Sequence, residues 1–236
     1  MATIVFISDS CQGQDVTKAT KIGVEKTVLP ISQLQGKYNA VEDIWENQDA
    51  AYEQFIRFDG ESLATFYRTN ANGDLGTVGI IDKEGKVIVQ PNYFSTTTKP
   101  HFGFFEVQDS KQRVGLVNVK GVQVVTPQYE SVFLDAGLMA IDSTIIKVAK
   151  DGKQGFIDHS GAIVVPLKYQ ALDLVGKNRV MYMESSQHWG LMDYASKIIT
   201  DPVFTSSNIF VDGKTVLQQA DGEQYVVFED GRIVKK

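Results

Sequence analysis

The amino-acid sequence predicts an all-β fold: an array of about five to six antiparallel β-repeat units of three to four strands each, with one short helix in an N-terminal cap. An open, solenoid-like array is the first expectation. A closed, propeller-like ring is the alternative, disfavoured because the units are shorter than a usual blade of about 40–50 residues. Three observations carry the prediction: an internal repeat, an Asx-to-Gly turn signature in its first three copies, and a proline near the end of its first four.

The repeat superposes without gaps. Its copies are Gly79-Ile-Ile-Asp-Lys-Glu-Gly-Lys-Val-Ile-Val-Gln-Pro-Asn-Tyr93, Gly115-Leu-Val-Asn-Val-Lys-Gly-Val-Gln-Val-Val-Thr-Pro-Gln-Tyr129 and Gly155-Phe-Ile-Asp-His-Ser-Gly-Ala-Ile-Val-Val-Pro-Leu-Lys-Tyr169. A fourth runs from Gly190-Leu-Met-Asp to Asp201-Pro-Val-Phe204, and a broken fifth from Tyr225 to Gly231. The leading glycines are 36, 40 and 35 residues apart. In Asp82-Lys-Glu-Gly85, Asn118-Val-Lys-Gly121 and Asp158-His-Ser-Gly161 an Asx side chain can bond back to the turn backbone, and glycine accepts positive φ. Each copy therefore opens with a tight hairpin. Pro91, Pro127, Pro166 and Pro202 are expected to end the second strand, since proline cannot donate to a ladder. The aromatics Tyr38, Tyr93, Tyr129, Tyr169 and Phe204 recur at one position and read as plugs between units. Apolar alternations before each copy, at Leu63–Tyr67, Phe104–Val107, Leu138–Ile141, Val180–Met183 and Val216–Leu217, supply the further strands.

This pattern resembles the bacterial WG β-repeat family, whose units carry an aromatic-Gly pair, a strand ending in Asp, a glycine turn and a Pro-x-x-Tyr-like end. Trp189-Gly190 keeps the full pair, while Val78, Val114 and Gln154 stand in the tryptophan position. The resemblance covers roughly residues 62–236. It implies a binding or scaffold role and no catalytic residue.

The first sixty residues differ. Gly36-Lys-Tyr38-Asn-Ala-Val41 looks like a degenerate unit, followed by an insertion from Glu42 to Glu61. Ile44, Trp45, Ala51, Tyr52, Phe55 and Ile56 approximate helical spacing, with Asp43 and Glu46 as a capping box and Asp59-Gly60 as a stop. The expectation is a helix over residues 44–57 that covers the open end of the array. The chain thus divides into residues 1–61, a degenerate repeat with a helical cap, and residues 62–236, the repeat array. Ahead of both, Met1–Ile7 reads as an edge strand, with an export signal as the alternative.

Composition narrows the function. A net charge of −6 and a pI near 5.1 argue against nucleic acid as the partner, because phosphate binding needs a basic surface. One cysteine excludes a disulfide framework and multi-cysteine metal sites. No apolar run reaches the roughly 18–20 residues that span a bilayer. Residues 41–61 hold seven acids and one base, a balance of −6, so the rest of the chain is electroneutral. His101, His159 and His188 show no metal-ligand spacing, and no nucleophile motif is present. Gly213-Lys-Thr215 lacks the earlier glycine and helix of a phosphate loop, and Asn70-Ala-Asn72-Gly-Asp74 lacks the closing acid of a calcium loop.

The first functional expectation is a non-catalytic protein-binding module, an inhibitor or immunity-type partner of a bacterial protein, such as a toxin with a basic surface. Family analogy and the acidic segment motivate it. A carbohydrate- or cell-envelope-binding module is the alternative. No cofactor and no metal are expected. The candidate partner-binding residues are Glu42, Asp43, Trp45, Glu46, Asp49 and Glu53, with Trp45 read either as an aromatic facing the partner or as the anchor of the cap. A cytoplasmic location is expected, with the periplasm or envelope as the alternative if an export signal was trimmed.

Overall fold

A computed structural model describes residues 30–185 and 187–236. The edge strand expected at Met1–Ile7 lies outside the described residues. The chain forms six small antiparallel sheets, each a meander of strands in sequence order. The first holds β1 (Gly36–Asn39), β2 (Ile44–Asn47) and β3 (Phe55–Arg57), and the second β4 (Leu63–Thr69), β5 (Leu75–Asp82) and β6 (Val87–Tyr93). The third comprises β7 (Ser95–Thr96), β8 (Phe104–Gln108), β9 (Val114–Asn118) and β10 (Gln123–Tyr129). The fourth has β11 (Ser131–Phe133), β12 (Ile145–Lys150), β13 (Lys153–Asp158) and β14 (Ile163–Tyr169), with α1 (Ala136–Ile141) between its first two strands. The fifth contains β15 (Ala171–Gly176), β16 (Arg179–Met183), β17 (Trp189–Met192) and β18 (Ile198–Phe204); the sixth, β19 (Lys214–Gln218), β20 (Gln224–Phe228) and β21 (Ile233–Lys235).

Successive side chains on a strand point to opposite faces, so a strand covered on both faces must be apolar at adjacent positions. The repeat's paired apolar residues do this. Ile80 enters the core between the second and third sheets, and Ile81 the core between the first and second. Leu116 and Val117, Phe156 and Ile157, and Leu191 and Met192 divide in the same way between the two cores flanking their sheets. Tyr93, Tyr129, Tyr169 and Phe204 are buried, each in the core between its own sheet and the next. Five apolar clusters link six consecutive sheets, and among the described residues none joins the first sheet to the last. The array is open.

The leading glycine and the proline share one cause. In the second sheet Val78 faces Tyr93 and Ile80 faces Val89, so Gly79 alone opposes Gln90, Pro91 and Asn92. Gly115, Gly155 and Gly190 likewise each oppose three residues, and each trio contains the proline. A Cβ on Gly155 would lie 2.7 Å from the Val165 carbonyl oxygen, and one on Gly190 2.8 Å from that of Thr200. The prolines therefore do not end the strands. They sit within them, in a bulge where no ladder donor is needed, and the strand runs on to its aromatic plug.

The hairpin turns are as the sequence predicts. Asp158 Oδ1 accepts from Ser160 N at 2.8 Å and Ala162 N at 3.0 Å, and Asn118 and Asp82 accept in the same pattern. The turn glycines have a second duty that the sequence does not announce. A Cβ on Gly121 would meet the Ile88 carbonyl of the preceding sheet at 2.5 Å, and one on Gly161 the Val124 carbonyl at 2.7 Å. The fifth sheet departs from the rule, with Ser196 at φ 60° and its hydroxyl buried without a hydrogen-bond partner.

Two elements correct the sequence reading. No helix spans residues 44–57: the segment is β2, a loop and β3, and Asp43 has φ 54° at the head of a strand where a helix cap was expected. Two short buried strands separated by a loop reproduce the three- and four-residue spacing of a helix. Leu138–Ile141, expected as strand, lies in α1. Asp135 caps it by accepting from Gly137 N and Leu138 N, and Leu138, Met139 and Ile141 pack on the cores of both faces. The first strand pair of that unit is instead β11 with β12. Residues 31–236 form one compact unit, in which the first sheet shares a core with the second. No helix among the described residues is long and apolar enough to cross a membrane.

Ser196→Gly is expected to raise unfolding stability by about 1 kcal/mol, since it relieves the positive-φ strain and removes a buried hydroxyl without a partner. Gly152, at φ 67° with nothing near its missing Cβ, isolates that strain in the other direction. Gly152→Ala should cost about 1–2 kcal/mol and Gly121→Ala roughly 1–3 kcal/mol more, measured by urea unfolding. Equal costs would show that the inter-sheet approach does not matter.

Candidate functional site

The acid-rich segment of residues 41–61 folds as the turn, strands and loop of the first sheet, and its acids have separate jobs. Asp43 binds Lys83, from the hairpin turn of the second sheet, at 2.6 Å, and also accepts from the Tyr38 hydroxyl and Gly60 N. The Lys83 ammonium lies over the rings of Tyr38 and Phe58, 5.1 and 5.3 Å from their centroids. Hydrogen bonding to Lys83, then to Tyr38 and Gly60, holds the Asp43 carboxyl down at about 2. Asp43 thus staples the first sheet to the second. Tyr38 serves this staple as a half-buried residue of β1, and it is not a strand-end plug like the other aromatics of its set. Glu46 accepts from the Asn39 amide at 3.1 Å and pairs with Lys37 at 3.1 Å, which lowers its pKa.

Trp45 is 4% exposed, packed between the two sheets against Gly36 and Gly85. Its burial corrects the reading of a partner-facing aromatic and supports that of an anchor, although the element it anchors is a strand. Glu42 stays exposed, as do Asp59 and Glu61, the last within 2.7 Å of Lys99.

Asp49 and Glu53 come together in a cleft of about 760 Å³, between the loop after β2 and the tip of the β4–β5 hairpin. Buried Asn47 shapes the loop. Its amide donates to the carbonyls of Asp49 at 2.7 Å and Glu53 at 3.1 Å, and its Oδ1 accepts from Asp49 N at 3.1 Å. The loop is stitched to β4 by Glu53 N to Tyr67 O at 3.0 Å and Thr69 N to Ala51 O at 2.9 Å. Tyr52 is buried beneath it, edge-on to Phe66, with the Arg68 guanidinium 5.8 Å from its ring centroid. Glu53 Oε1 accepts from Tyr67 N at 3.0 Å, yet partial burial raises its pKa. Gln48, Gln54 and Thr69 complete the polar wall. The lining carries two carboxylates and no base.

The sequence brings Asp49 and Glu53 to notice through charge, but gives no sign of Asn47 or Thr69. Asn47-Gln-Asp49 is an Asx turn signal that could have marked the loop. Thr69 lies in another sheet, and only the stacking of sheets joins it to the cleft.

Residues 79–93 and 155–175 match the WG containing repeat. These WG segments begin at the leading glycines Gly79 and Gly155, and the resemblance read from the sequence includes both. A comparison with curated proteins finds no match. Among solved structures, the chain is similar to the computationally designed Ika8 protein, at 14% identity, TM-score 0.32, with 87% of this chain and 64% of that one covered. It is also similar to the WD40 β-propeller domain of Doa1, at 10% identity, TM-score 0.31, covering 86% and 71%. PorZ of Porphyromonas gingivalis aligns at 9% identity, TM-score 0.27, covering 88% of this chain and 33% of that one.

Because the folded Asp43 pKa lies below its ordinary value of 3.8, the staple contributes its full stability above about pH 4. That contribution is lost as pH falls toward 2. Asp43→Asn should lower Tm at pH 6, and the gap to the unaltered protein should shrink progressively between pH 4 and 2 in thermal scans. A gap that stays constant over this range would remove Asp43 as an ionic staple.

Proposed function

We propose that this chain is a non-catalytic protein-binding module of inhibitor or immunity type, and that its first sheet receives a basic segment of a bacterial partner protein. One observation carries the reading: the cleft beside the first sheet has two carboxylates, one of them partly desolvated, and no cation of its own. A half-buried carboxylate with one oxygen on a backbone N–H is improved by an incoming guanidinium or ammonium, which offsets its desolvation. Gln48, Gln54 and Thr69 add acceptors for the remaining donors of an arginine side chain. The exposed acids Glu42, Asp49 and Asp59 create a local negative field that speeds encounter with a basic surface. Asp43 is taken up by Lys83 and Glu46 by Lys37 and Asn39, so the partner-binding set narrows to Glu42, Asp49 and Glu53.

The test uses a synthetic peptide, Ac-Gly-Arg-Gly-Arg-Gly-amide, and its glutamate counterpart, titrated into the full chain by calorimetry. The arginine peptide is expected to bind saturably and the glutamate peptide not at all. Glu53→Gln, which keeps the Tyr67 hydrogen bond, should weaken binding about tenfold with Tm unchanged or raised. Glu42→Lys with Asp49→Lys should slow association and flatten its salt dependence. Identical binding by all variants would remove the cleft from the account.

A further inference from the structure

One sheet edge already holds an extended segment of the chain. Residues 31–34 run antiparallel along the side of β6 that faces away from β5, with Gln33 bridged to Lys86. Val87 N donates to Ser32 O and Leu34 N to Gly85 O, each at 2.9 Å. The Gln90 side chain clamps the far end, accepting from Ile31 N at 3.0 Å and donating to Ile31 O at 2.8 Å. Leu34 lies on the same face as Val87, and both are buried in the core between the first and second sheets. The segment acts as a short added strand, held by main-chain bonds and a buried leucine.

The same edge recurs in the fourth sheet with no occupant among the described residues. Gly161 and Ile163 take the repeat positions of Gly85 and Val87, and Gly161 has φ 86° against 79° for Gly85. Ile157 faces Ile163 while Asp158 N bonds to Ala162 O at 2.9 Å, which turns the Ile163 N–H and the Gly161 carbonyl away from β13. Val87 and Gly85 give these two groups to Ser32 and Leu34. In the fourth sheet neither group has a backbone partner among the described residues. The side chain records the difference: Ile163 is 61% exposed and Val87 8%. The third sheet has Gln123 in place of the apolar residue, and the fifth has Ser196 in place of the glycine. Of these three sheets only the fourth keeps both marks. Pro166 stands where Gln90 does, so on β14 the fit rests on the ladder and on apolar cover.

We propose that the outer edge of β14 is a strand-addition site for an extended segment of another protein, entering antiparallel with apolar residues two apart. Residues two apart lie on one face of a strand, so one opposes Gly161, as Leu34 opposes Gly85, and the other covers Ile163. A second copy of this chain fits poorly. Pairing its own β14 about Ile163 would set Val165 against Gly161, and Val165 is fully buried in its own core. The edge belongs to the fourth sheet and draws on no residue of the acidic cleft, so the two sites stand or fall separately.

The probe is the peptide Ac-Pro-Ile-Val-Gln-Leu-Gln-amide, which is residues 30–35 carrying Ser32→Val. It is titrated into the isotope-labelled full chain and followed by amide chemical shifts and hydrogen exchange, with the same peptide N-methylated at leucine as control. Saturable shifts centred on Gly161–Val165, with slowed exchange of the Ile163 N–H, are expected from the unmethylated peptide alone. Ile163→Pro deletes that donor at an edge position that tolerates proline, and should weaken binding roughly tenfold. Ile163→Lys leaves the ladder to β13 in place and should weaken it about fivefold, which keeps the test open if the proline variant does not fold. Equal binding of the methylated peptide, or no binding of either, would overturn the proposal. Shifts confined to Gly85–Val87 would show that the peptide only exchanges with residues 31–34, and would overturn it too. Sedimentation showing self-association that Ile163→Lys abolishes would assign the edge to a second copy, with the same consequence.

Discussion

Everything in this protein depends on one steric fit, repeated in four of its six sheets: a glycine on one strand opposed by three residues of the next. The carbonyl before each bulge occupies the space where a Cβ would stand, so the position excludes every other residue. The bulge admits proline, bends the strand and delivers the aromatic at its end into the gap before the following sheet. From that aromatic the chain enters the next sheet almost at once, Tyr93 to Ser95, Tyr129 to Ser131 and Tyr169 to Ala171. Local geometry thereby sets the stacking. The second constraint follows from it: a sheet packed on both faces needs adjacent apolar residues, which the Ile80-Ile81 and Phe156-Ile157 pairs supply.

The fold was legible where its cause is local. The Asx-x-x-Gly turns and four of the five recurring aromatics follow from a few consecutive residues and appear where the sequence places them, Tyr38 being the exception. Legibility failed where spacing alone had to choose between periods. Ile44, Trp45, Tyr52 and Ile56 mimic a helix because a buried strand, a loop and a second strand place apolar residues at similar intervals. Leu138–Ile141 shows the reverse, since an Asp cap and good helix formers outweigh the register of the repeat. Proline was read as a stop because its lost donor was weighed without the bulge that makes the loss harmless. The turn glycines were read for φ alone, while Gly121 and Gly161 are also required by a carbonyl of the neighbouring sheet, which no single copy contains.

The site was half legible for the same reason. Charge alone draws attention to residues 41–61, but it cannot sort acids by task. Asp43 belongs to a staple across two sheets, and Glu46 to a local cluster with Lys37 and Asn39 within the first sheet. Glu53 faces a cleft whose far wall, Thr69 to Leu75, is contributed by the second sheet. The ends of the array then acquire different characters. The first sheet carries the acids, several of them in ion pairs, and the sixth carries Val216, Val226 and Val234 in one row across its strands.

The central claim is that six sheets are held pairwise in an open series, each supported by its immediate neighbours. Native-state hydrogen exchange tests it most directly, because nearest-neighbour support grades the protection of backbone amides along the array. The account predicts the slowest exchange in strands β8–β9, β12–β13 and β16–β17 of the inner sheets, and a clear fall toward β19–β21. Uniform protection across all six sheets, with β20 exchanging as slowly as β13, would show a closed ring and contradict the open series.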